Sequence, residues 1–117
     1  EGVQRPNGLL ALENGHLLLG DTNGRELLMV NPADGSKEVF AKGVEPDGII
    51  AVGDGSYVVS RWGGQIHHVS ATGETTLLLD TEAAGSQTAD IAYNQEEGLI
   101  LVPTFFQNKV VAYRLKM

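Results

Sequence analysis

Pro6-Asn7-Gly8-Leu9 and, about forty residues further on, Pro46-Asp47-Gly48-Ile49 open two copies of one block, and Thr88 to Tyr93 opens a shorter third. Each opening is followed by the same succession of short apolar segments and turn residues. Such a period belongs to stacked four-stranded sheets: a unit of about forty residues buries its apolar faces only against its neighbours, so several must stack before any is stable. The chain therefore divides into repeats at residues 5–44, 45–85 and 86–117, within one domain covering 1–117.

The apolar segments are rich in branched and large residues and are separated by Gly, Asn, Asp and Ser. No helical periodicity is sustained, so each repeat reads as an antiparallel meander. In the first, strands are predicted at Leu9–Leu12, His16–Gly20, Glu26–Val30 and Lys37–Ala41. The Asn14-Gly15 and Asp34-Gly35 pairs between them supply the positive φ that hairpins need. Ile49–Val52, Ser56–Ser60, Gln65–Val69 and Glu74–Leu79 repeat the pattern, and Asp90–Tyr93, Leu99–Val102 and Lys109–Leu115 begin it again without a fourth strand. Three sheets are about half of a closed ring of six. The expected fold is thus all-β: three four-stranded antiparallel blades, the third incomplete, of a six-bladed β-propeller, as a fragment or half-ring. An incomplete blade leaves an open strand edge, and both flanks of the arc present apolar faces. Strand exchange, a homo-oligomer that completes the ring, or missing blades from a longer parent chain is therefore expected to cover them.

Fifteen acidic against eight basic residues give a formal charge of −7, which opposes a nucleic-acid or anionic-membrane partner. Cysteine is absent, which excludes disulfides, thiolate metal sites and Cys nucleophiles. The longest apolar runs, such as Leu17-Leu18-Leu19 and Leu99-Ile100-Leu101-Val102, fall far short of the roughly twenty residues of a membrane helix.

Strands of a meander alternate in direction, so the loops entering the first strand and those joining the second to the third lie at one end. That rim gathers Asn7, Asp47 and Asp90 with Arg61, Trp62, Thr104 and Phe105. Asn and Asp oxygens converging near an axis are the ligands that Ca²⁺, Mg²⁺ or Mn²⁺ prefer and Zn²⁺ tolerates. Pro-Asn-Gly and Pro-Asp-Gly are equally ordinary turn sequences, in which Gly accepts strained backbone angles. Trp62 and Arg61 offer an aromatic wall and a cation suited to a sugar-acid or carboxylate ligand, or else they pack between blades. His67 and His68 are strand neighbours that point to opposite faces and cannot readily share an ion, and His16 reads as a turn residue. Ser60 and Ser86 lack evident base and acid partners for a nucleophile triad. Gly53-Asp54-Gly55 and Gly63-Gly64 precede no helix, which excludes a nucleotide phosphate loop.

At these motifs the chain resembles the regucalcin/gluconolactonase superfamily of six-bladed β-propellers, also known as the senescence-marker-protein and luciferin-regenerating family. The resemblance runs through essentially the whole chain. It is carried by Pro6-Asn7-Gly8-Leu9, Pro46-Asp47-Gly48-Ile49, the stretch Tyr57 to Gly64, and Ala89 to Tyr93 leading to Leu101-Val102-Pro103-Thr104-Phe105. It implies a divalent-metal-dependent hydrolase of sugar lactones or related esters, with Asn7 and Asp47 as metal ligands and Asp47 also as general base. Arg61, Trp62, Asp90, Thr104 and Phe105 would then contact substrate. A Glu from the family's first blade, its third ligand, has no counterpart in this sequence. Bacterial members are often exported, which makes a periplasmic or secreted parent an expectation. The alternative is a non-catalytic propeller module that binds a ligand or protein through the same rim and completes its ring by oligomerisation.

Overall fold

The structure is a computed structural model that describes residues 2–81, 87–104 and 107–115. Among these residues the chain forms three antiparallel sheets in sequence order. Sheet one holds β1 (Pro6–Ala11), β2 (Leu17–Asp21), β3 (Glu26–Asn31) and β4 (Ser36–Lys42). Sheet two holds β5 (Ile49–Ala51), β6 (Tyr57–Arg61), β7 (Gln65–Val69) and β8 (Thr75–Asp80), and sheet three holds β9 (Ala92–Asn94), β10 (Leu99–Thr104) and β11 (Lys109–Arg114). Every predicted strand is present, β7 with the predicted bounds and the others with shifted ends.

The largest shift is at the start of β1, which begins at Pro6 instead of Leu9. Pro6 pairs with Asp21 and Leu9 with Leu19, so the register jumps between them and Asn7-Gly8 form a bulge inside the strand. The hairpin glycines follow their turn chemistry: Gly15, Gly35 and Gly73 have φ of 88°, 72° and 89°. Asn14 and Asp34 tighten the first two corners by accepting the N–H of His16 and Ser36 at 2.9 and 2.9 Å, and Asp54 does the same for Ser56 at 3.0 Å in the turn from β5 to β6.

Gly8 and Gly48 behave differently from the turn expectation, because neither has a positive φ. What they provide is space. A Cβ on Gly8 would collide with the carbonyl oxygen of Asp47, and one on Gly48 would lie 2.8 Å from the Ile91 nitrogen. Gly20 is closely approached as well: its Cβ would sit 2.8 Å from that of Pro46. The glycine backbone of each repeat thus lies directly against the opening of the next, and the sheets fan out from those contacts.

Between the sheets lie two apolar layers. Leu18, Leu27 and Ala41 of sheet one meet Ile49, Tyr57, Val59 and Val69 of sheet two, with Phe40 edge-on to Tyr57 at 5.7 Å between ring centres. Val58 and Ile66 meet Ile91, Ile100 and Val102 of sheet three. Strand β6 therefore sends Tyr57 and Val59 to one side and Val58 to the other, as the two-residue period of a strand requires.

Hydroxyls and one carboxylate fasten the corners of this stack. Thr22 Oγ1 donates to the Pro46 carbonyl at 3.2 Å, Thr88 Oγ1 donates to that of Arg61 at 2.7 Å, and Ser60 Oγ donates to that of Ala89 while accepting the Gly48 N–H at 2.9 Å. Buried Asp21 accepts the N–H groups of Gln4, Arg5 and Gly24 at 3.0, 2.9 and 3.0 Å. These bonds, Gln4's foremost, hold its carboxyl below the usual 3.8.

A cost follows for the inner-strand glycines. Gly8→Ala should destabilise by about 1–3 kcal/mol through overpacking, more than Gly15→Ala, whose Cβ would meet open space and incur only left-handed strain; urea titration of both variants decides the order. The lowered Asp21 pKa adds stability that is present above 3.8 and is lost as pH falls through the folded-state value. Asp21→Asn should accordingly melt lower at pH 7 and lose less on acidification below pH 3.8 than the parent, read as melting temperature against pH.

Candidate functional site

The alternation of strand direction brings the entering loops and the β2–β3 and β6–β7 corners to one end of the stack. There Asn7, Thr22, Asp47, Arg61, Trp62 and Gly63 line one open cleft of about 590 Å³, together with Arg5 and Glu45. Four of the residues singled out from sequence thus meet although up to fifty-five positions separate them. An apolar gap of about 250 Å³ between sheets two and three, lined by Ile66, Leu79, Ile100 and Tyr113, holds no comparable polar cluster and is a product of packing.

The β1 bulge turns Asn7 toward the cleft, where its Nδ2 donates to Thr22 Oγ1 at 3.4 Å. Asp47 enters from the loop before β5, anchored because its N–H donates to the Ser60 carbonyl at 2.8 Å. Burial, followed by the negative charge of Asp90, pushes the Asp47 carboxyl above 3.8, and no described cation or N–H offsets the shift. Arg61, at the end of β6, forms an ion pair through Nε with Glu45 Oε2, while Glu45 Oε1 lies 3.6 Å from Arg25 Nε. Glu45 therefore bridges the corners of two sheets and fixes the direction of the Arg61 guanidinium. Trp62 is 41 % exposed and forms the wall next to it.

Arg5 and Glu45 were not among the residues expected at the rim. Each stands two positions before Asn7 or Asp47, and in an extended chain residues i and i+2 face the same way, which is the signal that marks them.

The remaining expected residues are placed elsewhere. Thr104 is buried and its hydroxyl donates to the Lys109 carbonyl at 3.2 Å, closing its own hairpin instead of lining the cleft. Asp90 is exposed and acts on Asp47 by charge alone. It also sits one residue out of step. Ile91 Cγ1 lies 3.0 Å from the Cβ position of Gly48, as Ile49 Cγ1 does from that of Gly8, so Asp90 occupies the glycine's place in the repeat and Ala89 the carboxylate's. Phe105 lies outside the described residues. His67 and His68 pair with Val59 and Val58 and so face opposite sides of the sheet. Ser60 spends its hydroxyl on the two bonds given above, one within its own repeat and one to the next, and no base bonds it among the described residues.

Among solved structures, the chain is similar to virginiamycin B lyase from Staphylococcus aureus, with a TM-score of 0.63 and 14 % identity over 96 % of this chain and 42 % of that one. It is also similar to the extracellular domain of a putative one-component system from B. thetaiotaomicron, with a TM-score of 0.65 and 17 % identity over 98 % of this chain and 18 % of that one. The chain is an arc of a β-propeller. At these identities the likeness concerns the fold, and the arc spans less than half the length of either structure. No protein-family model and no curated protein matches it.

The raised Asp47 pKa has a consequence for stability. Below 3.8 the carboxyl is protonated in both folded and unfolded chains; as pH rises through the folded-state value, ionisation of a poorly solvated group beside Asp90 removes stability. Asp47→Asn should therefore raise the melting temperature at pH 7, and that gain should vanish as pH falls below 3.8, measured by thermal denaturation of both proteins across the range.

Proposed function

We propose that the rim cleft is the active site of a lactonase-like hydrolase that opens sugar lactones or related esters with the help of a divalent cation, as in the regucalcin/gluconolactonase family that the motifs resemble. The observation that carries this reading is Asp47: a half-buried carboxyl with a raised pKa, in a cleft with Asn7, an aromatic wall and an oriented guanidinium.

The donor set fits a hard cation. Asn7 and Asp47 offer oxygen, and a cation there would counter both the desolvation and the Asp90 repulsion that disfavour the Asp47 anion. Among the described residues no group of three or more His, Cys, Asp or Glu gathers, so water and substrate oxygens would complete the coordination. Asn7 and Asp47 would hold the ion, calcium or alternatively zinc, magnesium or manganese; when bound, it supplies electrophilic pull on a carbonyl oxygen.

The chain's own groups supply the rest. Asp47, on the wall of the cleft, takes a proton from attacking water. Arg61, steadied by Glu45, pairs with the carboxylate of a sugar acid, and Trp62 gives the ring a flat apolar surface.

A second reading is a non-catalytic module that binds a small anion or a protein through this rim. It is favoured by the double ion pair of Glu45, which already engages Arg25 and Arg61.

Calcium, manganese or zinc should raise the melting temperature, with a stabilisation of about 2.7 kcal/mol at a hundredfold excess over Kd, and Asp47→Ala should abolish the gain. In a pH-stat assay over a panel of aldonolactones and simple esters, Asp47→Ala should reduce turnover by about 10²–10⁴-fold. Neither a thermal shift nor turnover with any of these cations would leave the binding module.

A further inference from the structure

The corner between β2 and β3 repeats the corner between β6 and β7, with one exchange. At the second corner Gly64 takes a left-handed φ of 124°, its N–H donates to the Arg61 carbonyl at 3.0 Å, and its carbonyl accepts the Thr81 N–H at 2.7 Å. At the first, Arg25 has a φ of 56°, its N–H donates to the Thr22 carbonyl at 3.3 Å, and its carbonyl accepts the Gly43 N–H at 3.0 Å. The two residues make the same pair of backbone bonds. The station therefore suits glycine, and an arginine there bears left-handed strain that glycine avoids. Backbone geometry gives no reason for a side chain at this place, but the guanidinium does. Arg25 Nε lies 3.6 Å from Glu45 Oε1, while Glu45 Oε2 pairs with Arg61 Nε.

One carboxylate thus bridges two guanidiniums from neighbouring sheets, with each of its oxygens facing one of them. Although the chain carries a formal charge of −7, three of its four arginines, Arg5, Arg25 and Arg61, stand at this rim. The bridging carboxylate sits on a loop, keeps 28 % of its side chain exposed, and lines the cleft that also holds Asn7, Asp47 and Trp62. Partly exposed ion pairs of this kind are weak, so a carboxylate from solution competes with Glu45 on favourable terms.

We propose that Arg25 and Arg61 form a seat for the carboxylate of a ligand, and that Glu45 is the chain's own carboxylate filling that seat while the cleft is empty. Glu45 steadies Arg61 until a ligand acid takes its place between the two guanidiniums, and the ligand's ring then lies along Trp62. The inference rests on the rim cleft being a ligand site, as in the proposed function. It adds that the ligand is an acid and that Arg25, from the preceding sheet, helps to select it. The seat fits a planar monoanion, the group it now holds. A phosphate would bring more negative charge close to Glu45 and Asp47.

Glucuronate, glucose and glucose 6-phosphate differ only at the sixth carbon, which bears a carboxylate, a hydroxyl and a phosphate in turn. Calorimetric titration of each into the protein at low ionic strength tests the seat, and glucuronate should bind most tightly. Arg25→Gly installs the residue that the repeat itself uses at this corner, so β circular dichroism should be retained. It should weaken glucuronate about three- to tenfold and leave glucose unchanged. Glu45→Gln removes the resident charge and should tighten glucuronate about two- to tenfold. If Glu45 were only a strut between sheets, that substitution would bring no gain in affinity, and this result would overturn the proposal. Equal affinity for glucose, tighter binding of the phosphate, an Arg25→Gly protein that binds glucuronate as the parent does, or no glucuronate binding in any of the three proteins would overturn it as well. None of the probes is a lactone or an ester, so absent turnover counts against the hydrolase and leaves this titration to judge the seat.

Discussion

The architecture rests on backbone meeting backbone where one innermost strand ends and the next begins. Gly8 lies against the carbonyl of Asp47 and Gly48 against the amide of Ile91, at separations that admit no Cβ. Those contacts set how closely successive sheets approach at their inner edges, and the larger side chains further out, Leu18, Leu27, Val58 and Ile66 among them, fill the widening wedge. Hydroxyls then lock the wedge without adding bulk: Thr22, Ser60 and Thr88 each reach a carbonyl of a neighbouring segment. Sequence, spacing and packing here express one requirement.

The same requirement places the chemistry. Asn7 and Asp47 stand next to the glycines that make close approach possible, so the positions with the least freedom to move carry the polar groups that face the cleft. A rigid backbone under Asp47, pinned through its N–H to Ser60, keeps the carboxylate where desolvation and Asp90 disfavour its ionised form. Glu45 contributes from the adjacent loop by tying Arg61 to Arg25 across two sheets. The cleft is therefore a consequence of how the arc is held together.

Much of the fold was legible because hairpin turns carry local signals: Asn14-Gly15 and Asp34-Gly35 mark their corners within two residues, and alternating loops assign every rim residue to an end. Less legible were features that depend on a neighbouring sheet. The role of Gly8 and Gly48 was read as backbone strain, whereas the reason lies in an atom about forty positions away. Asp90 resembles Asp47 in type, yet the spacing of the third repeat differs and its carboxylate takes another station. Thr104 has the composition of a rim residue, but its hydroxyl found a closer acceptor in Lys109. Arg5 and Glu45 could have been found by the two-residue period of an extended chain, a signal that was present and weaker than the repeat itself.

Strand β6 is enclosed from both sides, with Tyr57 and Val59 packed one way and Val58 the other, and its hydrogen-bond partners are protein strands along its length. Sheet two is thus the interior of the arc in the sense that matters for local opening. The amide protons of β6 are shielded by a strand on each side and a sheet on each face, whereas those of the exposed outer strands β4, β8 and β11 need only fraying of an edge. Protection against exchange should accordingly be deepest at the middle of the central sheet and fall toward the outer edge of every sheet.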